Sequence, residues 1–195
     1  MIKRIFDLLG ALLGLFLFSP LFILLSIIIK FTSQGTIFFI QERIGENGGI
    51  FKMIKFRSMQ MIKESKSTIS IKGDVRITNV GAFLRKYKLD ELPELWNVLI
   101  GDMSLVGPRP DVSGYADKLV GEQRKILSLK PGITGLASLK YANEEEELAM
   151  QENPEVYNNE VIYPDKVNIN LDYYYNNNLW IDIKIIFATI FRTTY

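Results

Sequence analysis

Residues 8–29 read LLGALLGLFLFSPLFILLSIII, an uncharged run with Ser19-Pro20 at its centre. At about 22 residues it would reach roughly 33 Å as one straight helix, enough to cross a hydrocarbon layer of about 30 Å. Pro20 changes that reading. It removes a backbone donor and its ring clashes with the carbonyl of Phe16, while the Ser19 hydroxyl can bond backbone groups locally. The two arms on either side, roughly 18 and 15 Å long, each match about half a bilayer. Lys3 and Arg4 precede the run, and Lys30, Lys52, Lys55 and Arg57 follow it, so both flanks satisfy the preference of Lys and Arg for the cytoplasmic side. The expected form is therefore a re-entrant helix-break-helix at residues 1–32, with Asp7 at the interface beside Arg4. Two other forms remain open, a kinked spanning helix and a cleaved signal peptide. The second is disfavoured because the apolar region is too long and no A-x-A site follows it.

Working outward, residues 33–195 have the length of one catalytic domain. The formal charge is only +1, from 23 Lys and Arg against 22 Asp and Glu, which argues against a general nucleic-acid binder. Cysteine and histidine are both absent. That excludes disulfides, thiolate nucleophiles, zinc sites of the usual kind and imidazole bases, and leaves acid-base work to Asp, Glu, Lys or Tyr. The fold class expected is α-rich with minor β, a compact cytosolic domain with interfacial amphipathic helices behind the membrane anchor. Ile37–Ile40 and Ile50–Phe56 flank Gly45, Gly48 and Gly49, the pattern of a hairpin. The stretch 59–68 is polar, and Gly73-Asp74 marks a turn. The segment from Trp180 to Phe191 is strongly apolar but is interrupted by Asp182 and Lys184 and followed by Arg192, which fits a core or interfacial helix rather than a span.

Residues 90–110, DELPELWNVLIGDMSLVGPRP, carry the chemistry. An adjacent carboxylate pair, Asp90 and Glu91, stands just before Pro93, so the pair falls at a helix junction that can aim both groups at one pocket. At the other end Arg109 is held between Pro108 and Pro110. A carboxylate can attack phosphorus, and a guanidinium of fixed geometry can clamp phosphate oxygens. Lys55, in KFRSM, and Arg85 are further cations that could keep a nucleophilic carboxylate ionised, although a surface ion pair is the commoner fate of any one of them. KPGITGL, residues 130–136, reads as a tight turn or as a place where backbone approaches a ligand closely. Glu144–Glu147 reads as a solvated helix face or loop. Asp172, Tyr173–Tyr175 and Asp182 are polar groups in an apolar setting, each a cap, an interface residue or a ligand contact.

Taken together, the basic start with its Ser19-Pro20 break, KFRSM, GAFLRKYKLDELPELWNVLIGDMSLVGPRP, KPGITGL and LDYYYNNNLWIDIKII closely resemble the small monotopic phosphoglycosyl transferases, bacterial enzymes that begin polyprenol-linked glycan assembly. The resemblance implies a re-entrant anchor in the bacterial inner membrane and an active site facing the cytosol. It also implies Mg2+ dependence, a UDP-sugar donor, a polyprenyl phosphate acceptor and a covalent phosphosugar on Asp90. By the same resemblance Glu91 is the dyad partner, assisting the metal or handling a proton, and Asp90 and Glu91 are the metal's protein contacts. Lys55, Arg85 and Arg109 match basic positions near the phosphates, and Asp172 matches a polar site position. Many members follow KPGITGL with an Asn-Gly-Arg-Asn-like segment, whereas this chain has Lys140-Tyr141-Ala142-Asn143 and four glutamates, so the sugar stays open. Two rival readings are an inactive membrane-anchored scaffold, separable by a turnover assay, and a lipid-linked glycosyltransferase that releases UDP rather than UMP.

Overall fold

A computed structural model describes residues 1–60 and 75–193. Helix α1 (Ile2–Thr32) is long and apolar enough to cross a membrane. It runs through Pro20 as one helical element, where two arms were expected. The Ser19 hydroxyl donates to the Phe16 carbonyl at 2.8 Å, supplying a partner to the carbonyl that the proline leaves without its usual one. One stripe of the helix faces inward. Ala11 packs with Met53, Leu95, Val98 and Met103, and Leu25 and Ile29 pack with Phe56 and Leu84. Gly10 and Gly14 allow this approach, since a Cβ on Gly10 would stand 2.6 Å from the Leu105 side chain. The opposite stripe, with Leu9, Leu12, Phe16, Ile23, Ile27 and Phe31, is exposed and predominantly apolar, with Ser19 among it.

Polar groups tie both ends of α1 to the rest of the chain. Lys3 donates to Asp182 at 2.6 Å and to the Val106 carbonyl at 3.1 Å. Arg4 takes the Val98 and Leu99 carbonyls at 2.6 and 2.9 Å, and Arg57 reaches Ser33 just beyond the other end, at 2.9 and 2.7 Å. Asp7 departs from the expectation that put it at the interface beside Arg4. It is buried and accepts from the Ser104 hydroxyl and from the Leu105 amide at 3.1 Å, because a carboxylate removed from water needs such donors.

The expected hairpin is present: β1 (Phe38–Ile44) and β2 (Ile50–Phe56) pair antiparallel from Phe38↔Phe56 to Ile44↔Ile50. Helix α2 (Asn79–Lys86) is capped by Thr78, and α3 (Glu94–Ile100) lies against β2. The buried Asn97 makes that contact specific. Its side chain accepts from the Ile54 amide at 3.0 Å and donates to the Lys52 carbonyl at 2.8 Å, standing in for a neighbouring strand. Of the polar stretch 59–68 only Met59 and Gln60 fall within the described residues, and the Gly73-Asp74 turn lies outside them.

Strand β3 (Ser104–Val106) pairs parallel with β4 (Gly132–Thr134). KPGITGL therefore supplies a strand where a turn was the favoured reading. Its glycines serve chain-on-chain contact, since a Cβ on Gly132 would stand 2.1 Å from the Gly107 nitrogen. Gly132→Ala is expected to lower stability by about 1–3 kcal/mol, as overpacking does, with a fall in the thermal unfolding midpoint as the measurement.

Short helices α4 (Leu136–Lys140), α5 (Glu144–Ala149) and α6 (Pro154–Tyr157) follow, then α7 (Tyr163–Asn176) and α8 (Leu179–Phe191). In α8 the stripe Asp182, Ile185 and Ala188 is buried, while Trp180, Phe187, Ile190 and Phe191 are exposed. The core character expected of this segment is thus present on one face, and the other face is apolar and exposed. The α-rich class with minor β is as expected, with two two-stranded sheets among the described residues.

Candidate active site

After α2 ends at Lys86, the chain turns through Lys88 in the left-handed region, φ 56°, and enters a tight helical turn at Leu89–Glu91 before α3. Leu89 and Leu92 pack into the cluster of Leu25, Ile29, Phe56 and Leu84. Anchored on both sides, Asp90 and Glu91 line the same cleft as Lys55, Arg85 and Arg109. The junction expected from Pro93 is where it was read.

The two carboxylates differ sharply. Glu91 receives the Arg109 fork, Nη2 to Oε1 and Nη1 to Oε2 at 3.3 Å, and Lys55 Nζ at 3.1 Å. Burial alone would raise its pKa, but the Arg109 and Lys55 charges outweigh burial and hold it well below the usual range. Asp90 is buried, and its Oδ1 has no hydrogen-bond partner. Burial and the Glu91 charge push its pKa up against the pull of Lys55, Arg85 and Arg109. One carboxylate is thus fully engaged by cations, and the other keeps a free oxygen in their field.

Lys55 and Arg109 are both brought to Glu91 of the dyad. Pro110 and its neighbour are fixed by the hairpin as well as by ring stiffness: Arg43 donates to the Pro110 carbonyl at 3.1 Å, and the Ile44 amide to the Asp111 carbonyl at 2.9 Å. Arg85 lines the same cleft but is ion-paired to Glu145 of α5, and its Nε is buried without a partner. The acidic run forms a partly exposed helix, in line with its reading as a solvated helix face or loop, but three of its glutamates are also engaged. Glu144 takes Lys166 at 2.6 Å, Glu145 takes Arg85, and Glu147 accepts from the Tyr157 hydroxyl at 2.9 Å. Asp172 lines the cleft from α7 but is exposed, and its carboxylate is held by Asn176 four residues on, at 2.8 Å. Asp182, by contrast, is a structural anchor for Lys3 and the Tyr173 hydroxyl.

Sequence reasoning passed over Glu94. It is 1% exposed, its Oε1 lies 3.2 Å from Lys55 Nζ, and Lys55 is therefore held between two carboxylates. The signal was available, since Glu94 follows Glu91 at the i,i+3 spacing that puts side chains on one side. Burial raises the Glu94 pKa to about 7, with Lys55 opposing and Glu91 adding. Between the ordinary glutamate value and about 7 the folded chain holds a proton that the unfolded chain has lost, so stability falls as pH rises through that window. Glu94→Gln is expected to remove a pH dependence on the order of 2–3 kcal/mol, read from denaturation midpoints between about pH 5 and about pH 8.

Mg2+ is usually held by one or two carboxylates with water and phosphate oxygens completing its shell, rather than by an all-protein cage. Among the described residues there is no cluster of three or more potential metal ligands. The free Asp90 Oδ1 is a hard oxygen donor that suits such a half-built site, whereas both Glu91 oxygens already face cations.

Comparison with known proteins shows the family. The sequence profile described as bacterial sugar transferase matches residues 1–194. The chain belongs to the bacterial sugar transferase family. Among its relatives, the exopolysaccharide production protein ExoY of Rhizobium meliloti strain 1021 is 36% identical, over 97% of this chain and 84% of that protein. The UDP-N-acetylgalactosamine-undecaprenyl-phosphate N-acetylgalactosaminephosphotransferase of Aeromonas hydrophila is 37% identical, over 97% of this chain and 43% of its own. The UDP-glucose:undecaprenyl-phosphate glucose-1-phosphate transferase of Escherichia coli K12 is 36% identical, over 98% of this chain and 40% of its own. The chain therefore spans most of ExoY and about two-fifths of the other two.

Proposed function

We propose that this chain transfers a sugar 1-phosphate from a UDP-sugar to a polyprenyl phosphate, releasing UMP, as an early membrane step of bacterial glycan assembly. The observation that carries the reading is Asp90, a buried carboxylate with one unpartnered oxygen beside Lys55, Arg85 and Arg109. In the first step an Asp90 oxygen attacks the phosphorus bearing the sugar, and the bond from that phosphorus to the UMP oxygen breaks. UMP leaves with the electron pair. In the second step an oxygen of the polyprenyl phosphate attacks the same phosphorus, the bond to Asp90 breaks, and the carboxylate is restored with a lipid-linked sugar diphosphate as product. Lys55 and Arg109, aligned by Glu91 and Glu94, neutralise charge gathering on the phosphate oxygens. Mg2+, if held by the free Asp90 oxygen together with the donor's own phosphate oxygens, would supply further charge neutralisation on the donor diphosphate; Glu91, expected by resemblance to share the metal, has both oxygens engaged by Arg109 and Lys55. The assay offers a panel of UDP-sugars with polyprenyl phosphate in detergent. UMP as the nucleotide product supports the scheme, and UDP would point to ordinary glycosyl transfer.

The anchor is re-entrant in this proposal, with the active site at the cytoplasmic face of the inner membrane. Support comes from both ends of α1. Lys3, Arg4 and Asp7 at one end bond residues 98–106 and Asp182, and Arg57 holds Ser33 beyond the other. A helix crossing a bilayer of about 30 Å would place its ends on opposite sides, out of reach of one small domain. Single cysteines in place of Ile2 and Gln34, both exposed, are expected to be labelled from the same, cytosolic side. Labelling from opposite sides would establish a spanning helix.

A further inference from the structure

We propose that Glu145 is a latch on the donor site: it occupies Arg85 as an internal counter-ion that the donor's phosphates displace, and so sets donor affinity. The inference rests on the functional reading above and concerns how that site is regulated.

Arg85 lies close enough to Asp90 for its charge to favour the ionised carboxylate, yet its own ion pair is with Glu145, 60 positions along the chain. Glu145 is the substitutable partner of the two. Its side chain is 40% exposed and Arg85's is 20%, so the carboxylate can swing into water while the guanidinium stays beside the reacting group. Arg85 Nε is buried without a partner, which leaves a second donor on the same guanidinium for an oxygen ligand. A carboxylate and a phosphate present similar oxygen pairs to a guanidinium fork, so each excludes the other.

The remaining contacts of α5 keep the latch in place. Glu144 grips Lys166 through both oxygens, at 2.7 and 2.6 Å, and Glu147 accepts from Tyr157. Those partners belong to α7 and α6 and do not involve Arg85, so α5 stays docked when Glu145 alone lets go. The energetic scale is small. A partly exposed ion pair contributes at most about 1 kcal/mol, equivalent to a factor of about five in affinity. That suits a contact meant to yield to substrate.

The test compares the full-length wild type and Glu145→Gln in steady-state turnover, with calorimetric binding of UDP as a readout that needs no catalysis. The donor KM and the UDP Kd are both expected to fall about two- to fivefold in the variant. In an Arg85→Gln background the same substitution should shift neither. A purely structural Glu145 would move the values the other way, because loosening α5 would disorder the site. An unchanged or raised Kd for UDP in the single variant overturns the latch. Wild-type turnover together with that result leaves the transferase reading standing, whereas a wild type that releases UMP from no UDP-sugar removes the reading and the latch with it.

Discussion

Replacing Asp90 with asparagine is expected to reduce turnover by about a thousandfold or more while leaving the chain folded and membrane-bound. An amide has nearly the shape of the carboxylate but cannot form and release the acyl phosphate. The fold should tolerate the change unusually well. Asp90 Oδ1 has no hydrogen bond to lose, and burial already penalises the charged form of this group. A neutral side chain removes that penalty. The unfolding midpoint of the variant should therefore equal or exceed that of the wild type. Loss of activity with a fallen midpoint would instead mark Asp90 as structural, and ordinary activity would end the covalent scheme.

The second large effect belongs to Arg109→Lys. Charge is conserved, but the planar fork that meets both oxygens of Glu91 is lost, and an ammonium makes a single-point contact. Glu91 would then be free to move, and with it Lys55, which it helps to hold. We expect kcat/KM to fall on the order of a hundredfold, the scale of losing one aligned donor from a site where charge develops. Arg109→Lys should also raise the pKa of Glu91, since the hydrogen bonds of the Arg109 fork, which help its charge hold Glu91 down against burial, are lost. Near-wild-type kinetics would reassign Arg109 to the support of the Pro108–Pro110 segment.

Much of this was legible in the sequence where the governing physics is local. The hairpin follows from alternating apolar residues around Gly45, Gly48 and Gly49, and the dyad's place at a helix junction follows from Pro93. Ser19-Pro20 was read as a break between two arms with the Ser19 hydroxyl bonding backbone locally; the hydroxyl does bond Phe16, but α1 runs through Pro20 as one helical element. The unread part is made of contacts between distant segments. Nothing near Asp7 indicates that Ser104 will meet it, and nothing near Arg85 points to Glu145. The glycines of KPGITGL looked like turn residues because close backbone packing against Gly107 leaves no periodic trace. Glu94 was the readable omission, hidden by attention to the adjacent Asp-Glu pair rather than to helical spacing. Its pairing with Lys55 means that the cations of the site face two carboxylates in addition to the nucleophile. Asp172, singled out by resemblance, shares the cleft without touching the charged cluster.

The most direct measurement is mass spectrometry of the wild-type protein incubated with a UDP-sugar donor and no lipid acceptor. The account predicts release of one UMP per active chain and a mass gain equal to one sugar phosphate, on the peptide containing Asp90, that is lost when polyprenyl phosphate is added. An active enzyme that turns over donor and acceptor together, yet shows no UMP burst and no adduct with donor alone, would contradict it.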